Sequence, residues 1–235
     1  RTDITRLKRP LCYNDPDIMK TLKENCMKAV TAHAAGGPIA YSLGDEISSG
    51  TFVKPVNWCF CSNCMDTFRE WLRTEYRDID DLNSVWGTRF DSFDTVIPLT
   101  LQETIDRNSF YTGPPISRDM RYPEFNSASY NDFRMWRDIN FADILAALRD
   151  FAHAVDSSAP TGAVGLQYPS PFGGFDYTRL VNSLDWMEVY NYGEAPEIVR
   201  SLTVRDYPRM TTHRIDNRNL KLNAYRIWYY FAHGD

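Results

Sequence analysis

The apolar positions of the chain alternate between two periods. After Asn14-Asp15-Pro16, a capping residue followed by a proline suited to a first helical turn, Ile18, Leu22, Met27 and Val30 recur at helical spacing up to the break at Gly36-Gly37. A short apolar run over 38–43 reads as a buried strand ending at Gly44-Asp45-Glu46. A loop over 47–58 leads to an amphipathic helix carrying Met65, Phe68, Trp71 and Leu72, and a shorter helix covers 81–86. The stretch 93–126, rich in Pro, Gly, Ser and Thr, reads as irregular. The longest helical pattern runs over 129–155 through Phe133, Trp136, Ile139, Ile144, Leu148 and Phe151, and stops at Ser157-Ser158-Ala159-Pro160. Strands are predicted over 161–166, 184–190 and 207–215, and helices over 177–182, 195–202 and 220–232.

Strands alternating with helices predict an α/β fold with a parallel sheet covered by helices. Four such strands suit either an open doubly wound sheet or a (β/α)8 barrel, and the pattern leaves both open. Neither G-x-G-x-x-G nor a phosphate-binding P-loop is present, so nucleotide binding has no support.

Composition narrows the function classes. The 235 residues are 43 % hydrophobic and 14 % aromatic, values of a folded domain rather than a disordered chain. No apolar run approaches the roughly 18 residues of a membrane span. With 26 Lys and Arg against 31 Asp and Glu, the net charge is −5, which argues against an electrostatic nucleic-acid binder. The one basic cluster, Arg6, Lys8 and Arg9, reads as a solvated turn. The chain opens on Arg1 and stops at His233-Gly234-Asp235, so both ends read as cuts inside a longer protein.

Two groups of residues could carry chemistry. Cys59, Cys61 and Cys64 form C-F-C-S-N-C, too tight and too odd in number for a disulfide framework. Clustered thiolates suit a tetrahedral zinc, which needs a fourth ligand. Cys12, in the loop-like L-C-Y-N-D-P, suits that place better than Cys26, which lies in a helical stretch. Three reduced structural thiols remain the alternative. The second group is Asp45-Glu46, at the end of the first strand, where barrel enzymes assemble their active sites. A carboxyl there serves as a general acid when burial or a second carboxylate raises its pKa; a surface or helix-cap pair is the plainer reading. Neighbours along a strand point to opposite faces, so the two project together only if the strand has already turned. His33, His153, His213 and His233 show no metal or triad spacing. Trp58 and Trp86 are better placed as core residues than as sugar-stacking platforms.

The stretches Y-S-L-G-D-E, C-F-C-S-N-C, F-R-E-W-L and D-D-L-N-S-V-W-G-T-R-F resemble glycoside hydrolase family 42, the β-galactosidases, and their divergent relatives. R-P-L-C-Y-N-D-P upstream, and G-G-F-D-Y-T-R-L and L-D-W-M-E-V-Y-N-Y downstream, also fit. The resemblance covers 6–234 and is most specific over 44–90. It implies a (β/α)8 TIM barrel, of which residues 1–235 would hold strands four to seven as a fragment of a single catalytic domain. Such a part barrel has open edges and is not expected to be a stable monomer.

The resemblance also implies roles. Glu46 falls on the acid/base, and Cys12, Cys59, Cys61 and Cys64 fall on a structural four-cysteine zinc site. Asp45 stands in a substrate-binding position where the family usually has Asn; it accepts a hydroxyl hydrogen bond but cannot donate one. The family nucleophile is a Glu at the end of strand seven, yet 207–215 holds no carboxylate and only Asp206 and Asp216 flank it. Glu188 is the nearest alternative, and a hydrogen-bonded buried acid is the other reading of that residue. The function implied is a retaining glycosidase acting on β-galactosides or related β-glycosides; the alternative is a barrel that binds glycans without efficient hydrolysis. The partner expected is a carbohydrate, with no nucleic acid and no membrane, and with trimer formation through regions outside these residues. Clustered reduced thiols favour the cytoplasm.

Overall fold

The computed structural model describes residues 3–50, 58–108, 126–169, 172–191, 194–204, 206–212 and 216–233. In chain order the elements are α1 (Pro16–Ala34), β1 (Tyr41–Asp45), α2 (Ser62–Glu75), α3 (Ile79–Trp86), α4 (Leu101–Asn108), α5 (Ala128–His153), β2 (Thr161–Leu166), α6 (Tyr177–Ser183), β3 (Trp186–Tyr190), α7 (Ala195–Leu202), β4 (Arg209–Thr212) and α8 (Leu220–His233). No helix among the described residues is long and apolar enough to cross a membrane.

The chain divides into two compact units, one formed by Arg1–Asp15 and Lys54–Arg137, the other by Pro16–Val53 and Asp138–Asp235. The second unit contains the sheet. Its strands are all parallel and lie in the order β1-β2-β3-β4. Each new strand therefore adds to the same edge. A doubly wound sheet reverses direction once, and that reversal is missing here. Sequential parallel strands joined by helical crossovers are the arrangement of part of a (β/α)8 barrel. The two inner strands are buried along nearly their whole length, as parallel strands covered on both faces must be, whereas β1 and β4 are half-buried or exposed throughout, and β4 alternates. Ala163, Leu166, Met187 and Val189 of the sheet, with Phe141, Leu145, Phe175, Tyr177 and Leu180, make up the buried apolar interior of this unit.

The regular elements of the first unit are helices among the described residues, and they pack around aromatic rings. The buried face of α2 presents Cys64, Met65, Phe68 and Leu72 at helical spacing. Phe68 meets Phe133 edge-on at 5.2 Å between centroids, and Phe133 stacks beside Trp136. Trp86 of α3 is a core residue and donates its indole N–H to Asp132 at 2.7 Å, an acceptor it shares with the Tyr76 hydroxyl. The helix that holds it starts at Asp78, whose side chain accepts the N–H of Asp81, and ends at Gly87 in the left-handed conformation.

Boundaries move by about two residues at β3 and α3, and three other elements differ from their sequence expectation in a way that has a physical reason. The first strand covers Tyr41–Asp45 and starts after Pro38, which has no N–H to give to a ladder. The last strand shortens to Arg209–Thr212, with 213–215 outside the described residues. The stretch read as irregular contains α4. Thr100 and Glu103 start that helix as a capping box: the Thr hydroxyl accepts the Glu103 N–H at 3.2 Å, and the Glu carboxylate accepts the Thr100 N–H at 3.0 Å. Residues 109–125 of the same stretch lie outside the described residues.

Phe68 has no solvent exposure and touches four other aromatic rings. Phe68→Ala is expected to lower stability by about 3–5 kcal/mol, read as a lower midpoint in urea unfolding followed by tryptophan fluorescence.

Candidate functional site

The cysteine cluster lies wholly in the first unit. Cys12 precedes α1, Cys59 and Cys61 precede α2, and Cys64 lies in its first turn. Their Sγ atoms all fall within 4.8 Å of one another. Cys12 and Cys64 approach to 3.2 Å, and Cys61 and Cys12 to 3.4 Å. Four sulfurs at tetrahedral corners about 2.3 Å from one ion stand about 3.8 Å apart, so this spacing suits a single metal. The set is charge-poised as well. The Cys59 thiol is held well below its usual range, because the Cys12 and Cys64 thiols and the N–H groups of Arg9 and Cys61 donate to its sulfur. Cys12, as a donor to Cys59 in a buried setting, is pushed up to about 12, and Cys64 is raised by its hydrogen bonds to Cys12 and then Cys59 and by burial. Cys26 takes no part; it sits on α1 and its thiol lies 3.6 Å from the Leu148 carbonyl. These four cysteines can hold a metal.

The second group lies at the C-terminal ends of the strands in the second unit. Asp45 closes β1, and Glu46 follows in the left-handed conformation, at φ 51°. A non-glycine residue held there costs of order 1–3 kcal/mol and needs its surroundings to keep it. The Glu46 N–H donates to the Val164 carbonyl at 3.1 Å. The turn answers the question of direction: the side chains of Asp45 and Glu46 both lie against Gly165 of β2 rather than on opposite faces. Glu46 is exposed, and its Oε1 accepts the Tyr190 hydroxyl at 2.8 Å. That hydrogen bond, with some burial and the charges of Glu46, Asp45 and Glu188, pushes the Tyr190 phenol up to about 12.

Glu188 is buried on β3. Its Oε2 accepts the Gly165 N–H and its Oε1 the Thr212 hydroxyl, so it is a hydrogen-bonded buried acid. Burial, and then the Glu188 charge, raises the phenol pKa of Tyr177, whose hydroxyl donates to the Gln167 carbonyl at 2.5 Å. His153 pairs with Asp185 at 2.8 Å and His233 with Glu197, away from both groups in sequence, while His213 lies outside the described residues.

Gly165 and Thr212 lie in no quoted motif, and Tyr190, though inside L-D-W-M-E-V-Y-N-Y, was given no role by the sequence. Gly165 left a signal, since a glycine inside a strand pattern marks a bulge or a close approach, though Gly162 of the same strand carries the same signal.

Comparison with known proteins adds the following. The model of glycoside hydrolase family 42, described as beta-galactosidase, matches residues 6–203. Beta-galactosidase BgaB of Geobacillus sp. (strain Y412MC61) is 54 % identical over 79 residues, which are 34 % of this chain and 11 % of that protein. Beta-galactosidase LacZ of Heyndrickxia coagulans is 24 % identical over 198 residues, 76 % of this chain and 27 % of that one. The crystal structure of a beta-galactosidase from Bacillus circulans sp. alkalophilus superposes with a TM-score of 0.59 at 17 % identity, covering 81 % of this chain and 27 % of that one. The catalytic domain of a beta-amylase from Paenibacillus polymyxa superposes with a TM-score of 0.58 at 17 % identity, covering 89 % and 59 %. At such identities the superpositions speak for the fold. The aligned part of the chain spans about a tenth to a quarter of the length of these two curated relatives.

The Tyr190–Glu46 hydrogen bond predicts a titration. The phenol is protonated in the bond, and its pKa is higher in the folded state than the ordinary value of about 10. The stability it contributes is therefore full below pH 10 or so and is lost as the pH climbs through about 12. Glu46→Gln removes the charge and is expected to bring the Tyr190 pKa back toward its ordinary value, read by NMR of ring-labelled tyrosine.

Proposed function

The chain belongs to glycoside hydrolase family 42, the beta-galactosidase family, and from that premise we propose that it is part of a retaining glycosidase acting on terminal β-galactosides or related β-glycosides. Residues 1–235 then supply strands four to seven of one (β/α)8 catalytic barrel. Glu46 is the acid/base. The observation that carries this reading is its place: an exposed carboxyl just past the C-terminal end of β1, held at Oε1 by the Tyr190 hydroxyl. With that oxygen occupied, Oε2 is the one to carry the proton toward the glycosidic oxygen, and later to take one from the attacking water. Asp45, exposed beside it, accepts a hydrogen bond from a sugar hydroxyl. A retaining mechanism also needs a second carboxyl about 5–5.5 Å from the first.

A second reading, a barrel that binds glycans without efficient hydrolysis, has one specific support. The sequence R-M-T-T of β4 carries no carboxylate, nor do the three residues after it.

For the cysteine cluster we propose a structural zinc. Four thiolates close every tetrahedral position and leave none for substrate or water. When bound, zinc would supply cross-linking of the Cys12 loop to the start of α2. The partner this reading requires is a carbohydrate, with any trimer formed through regions outside these residues, and the thiol cluster suits a reducing compartment.

Two measurements test these readings. The first is hydrolysis of a panel of aryl β-glycosides by the full-length protein. Glu46→Gln is expected to lower kcat/KM for poor leaving groups by roughly 10²–10⁴, with much smaller loss of kcat/KM for dinitrophenyl glycosides, whose leaving group departs without a proton. No turnover of any glycoside by the folded wild type supports the binding reading instead. The second is metal analysis: one zinc per chain is expected, released on Cys64→Ser with a fall in thermal midpoint, whereas an unchanged midpoint and no metal in the wild type argue for reduced thiols alone.

A further inference from the structure

Glu188 is a buried acid that the proposed reaction does not use. It lies on β3 with 6 % exposure, and a carboxylate so placed has to be met by donors. The donors come from the strands on either side: the Gly165 N–H of β2 to Oε2, and the Thr212 hydroxyl of β4 to Oε1. The first is unusual, because a strand amide normally serves the backbone ladder. The β2–β3 register shifts between Ala163 and Leu166, and within that shift the Gly165 amide turns to the Glu188 side chain.

Gly165 also stands under the candidate acid/base. Its φ is +70°, a conformation that favours glycine, and a Cβ there would run into Asp45 Oδ1 and come within 2.7 Å of the Glu46 nitrogen and 2.9 Å of Glu46 Cγ. The residue whose amide Glu188 holds is therefore the surface on which Glu46 rests. Glu46 itself sits in a costly left-handed conformation that only its surroundings maintain.

We propose that Glu188 is a positioning residue: its carboxylate pins the Gly165 bulge of β2, and the bulge seats Glu46 against the Tyr190 hydroxyl. The proposal rests on the reading of Glu46 as acid/base and assigns Glu188 no direct contact with substrate. Glu188→Gln retains an oxygen for the Gly165 amide and an NH2 that the Thr212 hydroxyl can accept, so it preserves the pin without the charge. Glu188→Ala removes it.

The test measures kcat/KM of the full-length protein on glycosides with poor and with activated leaving groups, with Glu46→Ala as reference. A displaced acid/base slows only the reaction that needs its proton. Glu188→Ala is expected to lose roughly 10² on phenyl glycosides and little on dinitrophenyl glycosides, a weaker copy of Glu46→Ala, while Glu188→Gln retains most turnover on both. Equal losses across leaving groups would show a merely structural role and overturn the proposal. So would abolition of both activities by Glu188→Gln, the mark of a nucleophile. If Glu188→Ala does not fold, Thr212→Val, at an exposed strand end, is expected to show a several-fold loss with the same leaving-group pattern, and no loss overturns the proposal. If Glu46→Ala shows no leaving-group dependence, the acid/base reading fails by itself. The positioning claim is then decided by the crystal structure of the variant that folds: a broken Glu46–Tyr190 contact supports it, and an unchanged one overturns it.

Discussion

Parallel strands all end on the same side of their sheet, and the rest of this unit depends on that constraint. Because every chain reversal is made by a helical crossover, the C-terminal ends of β1 to β4 line one rim. Glu46, Gly165, Tyr190 and Thr212 are far apart in the chain yet each is at or near such an end. An antiparallel pairing would have sent alternate ends to opposite rims and left the same residues without partners. The chemistry proposed for Glu46 is thus a consequence of strand direction before it is a consequence of any one contact.

Within that rim, small departures from regular sheet geometry decide which atoms meet. The register of β1 against β2 shifts between Ser42 and Asp45, and that of β2 against β3 between Ala163 and Leu166. Each shift releases backbone groups from the regular ladder to other partners. The Gly165 amide finds Glu188, and the Glu46 amide finds the Val164 carbonyl. A β2 without its shift would take the Gly165 donor away from the buried carboxylate on β3 and leave it the Thr212 hydroxyl. The other unit solves a different problem. Its helices enclose aromatic rings, and three of its four clustered cysteines are buried among them, where a thiolate needs donors or a metal.

Much of this was legible in the chain. The helices at Ala195–Leu202 and Ala128–His153, and the strand at Thr161–Leu166, announce themselves by period and by their Gly, Pro and Ser boundaries. Local signals of this kind persist because they concern neighbours in sequence. The helix α4 was legible too, in the Thr100–Glu103 capping box, but the surrounding polar composition outweighed a signal of two residues.

By itself the sequence determined the α/β class, the clustering of Cys59, Cys61 and Cys64, the suitability of Cys12 as their partner, and a carboxyl pair at a strand end. These follow from periodicity and from residue type at short spacing. Periodicity left an open sheet and a barrel segment undecided, because strand order is a relation between elements that carry the same local pattern whichever way they are arranged; the family resemblance implied the barrel, and the strand order of the tertiary structure agrees with it. It alone turned Asp45 and Glu46 to one side, brought Tyr190 to Glu46 across 144 residues of chain, and spent both oxygens of Glu188 on neighbouring strands. Those outcomes depend on register, and the inner parallel strands, buried on both faces, read as near-continuous apolar runs that carry little information about it.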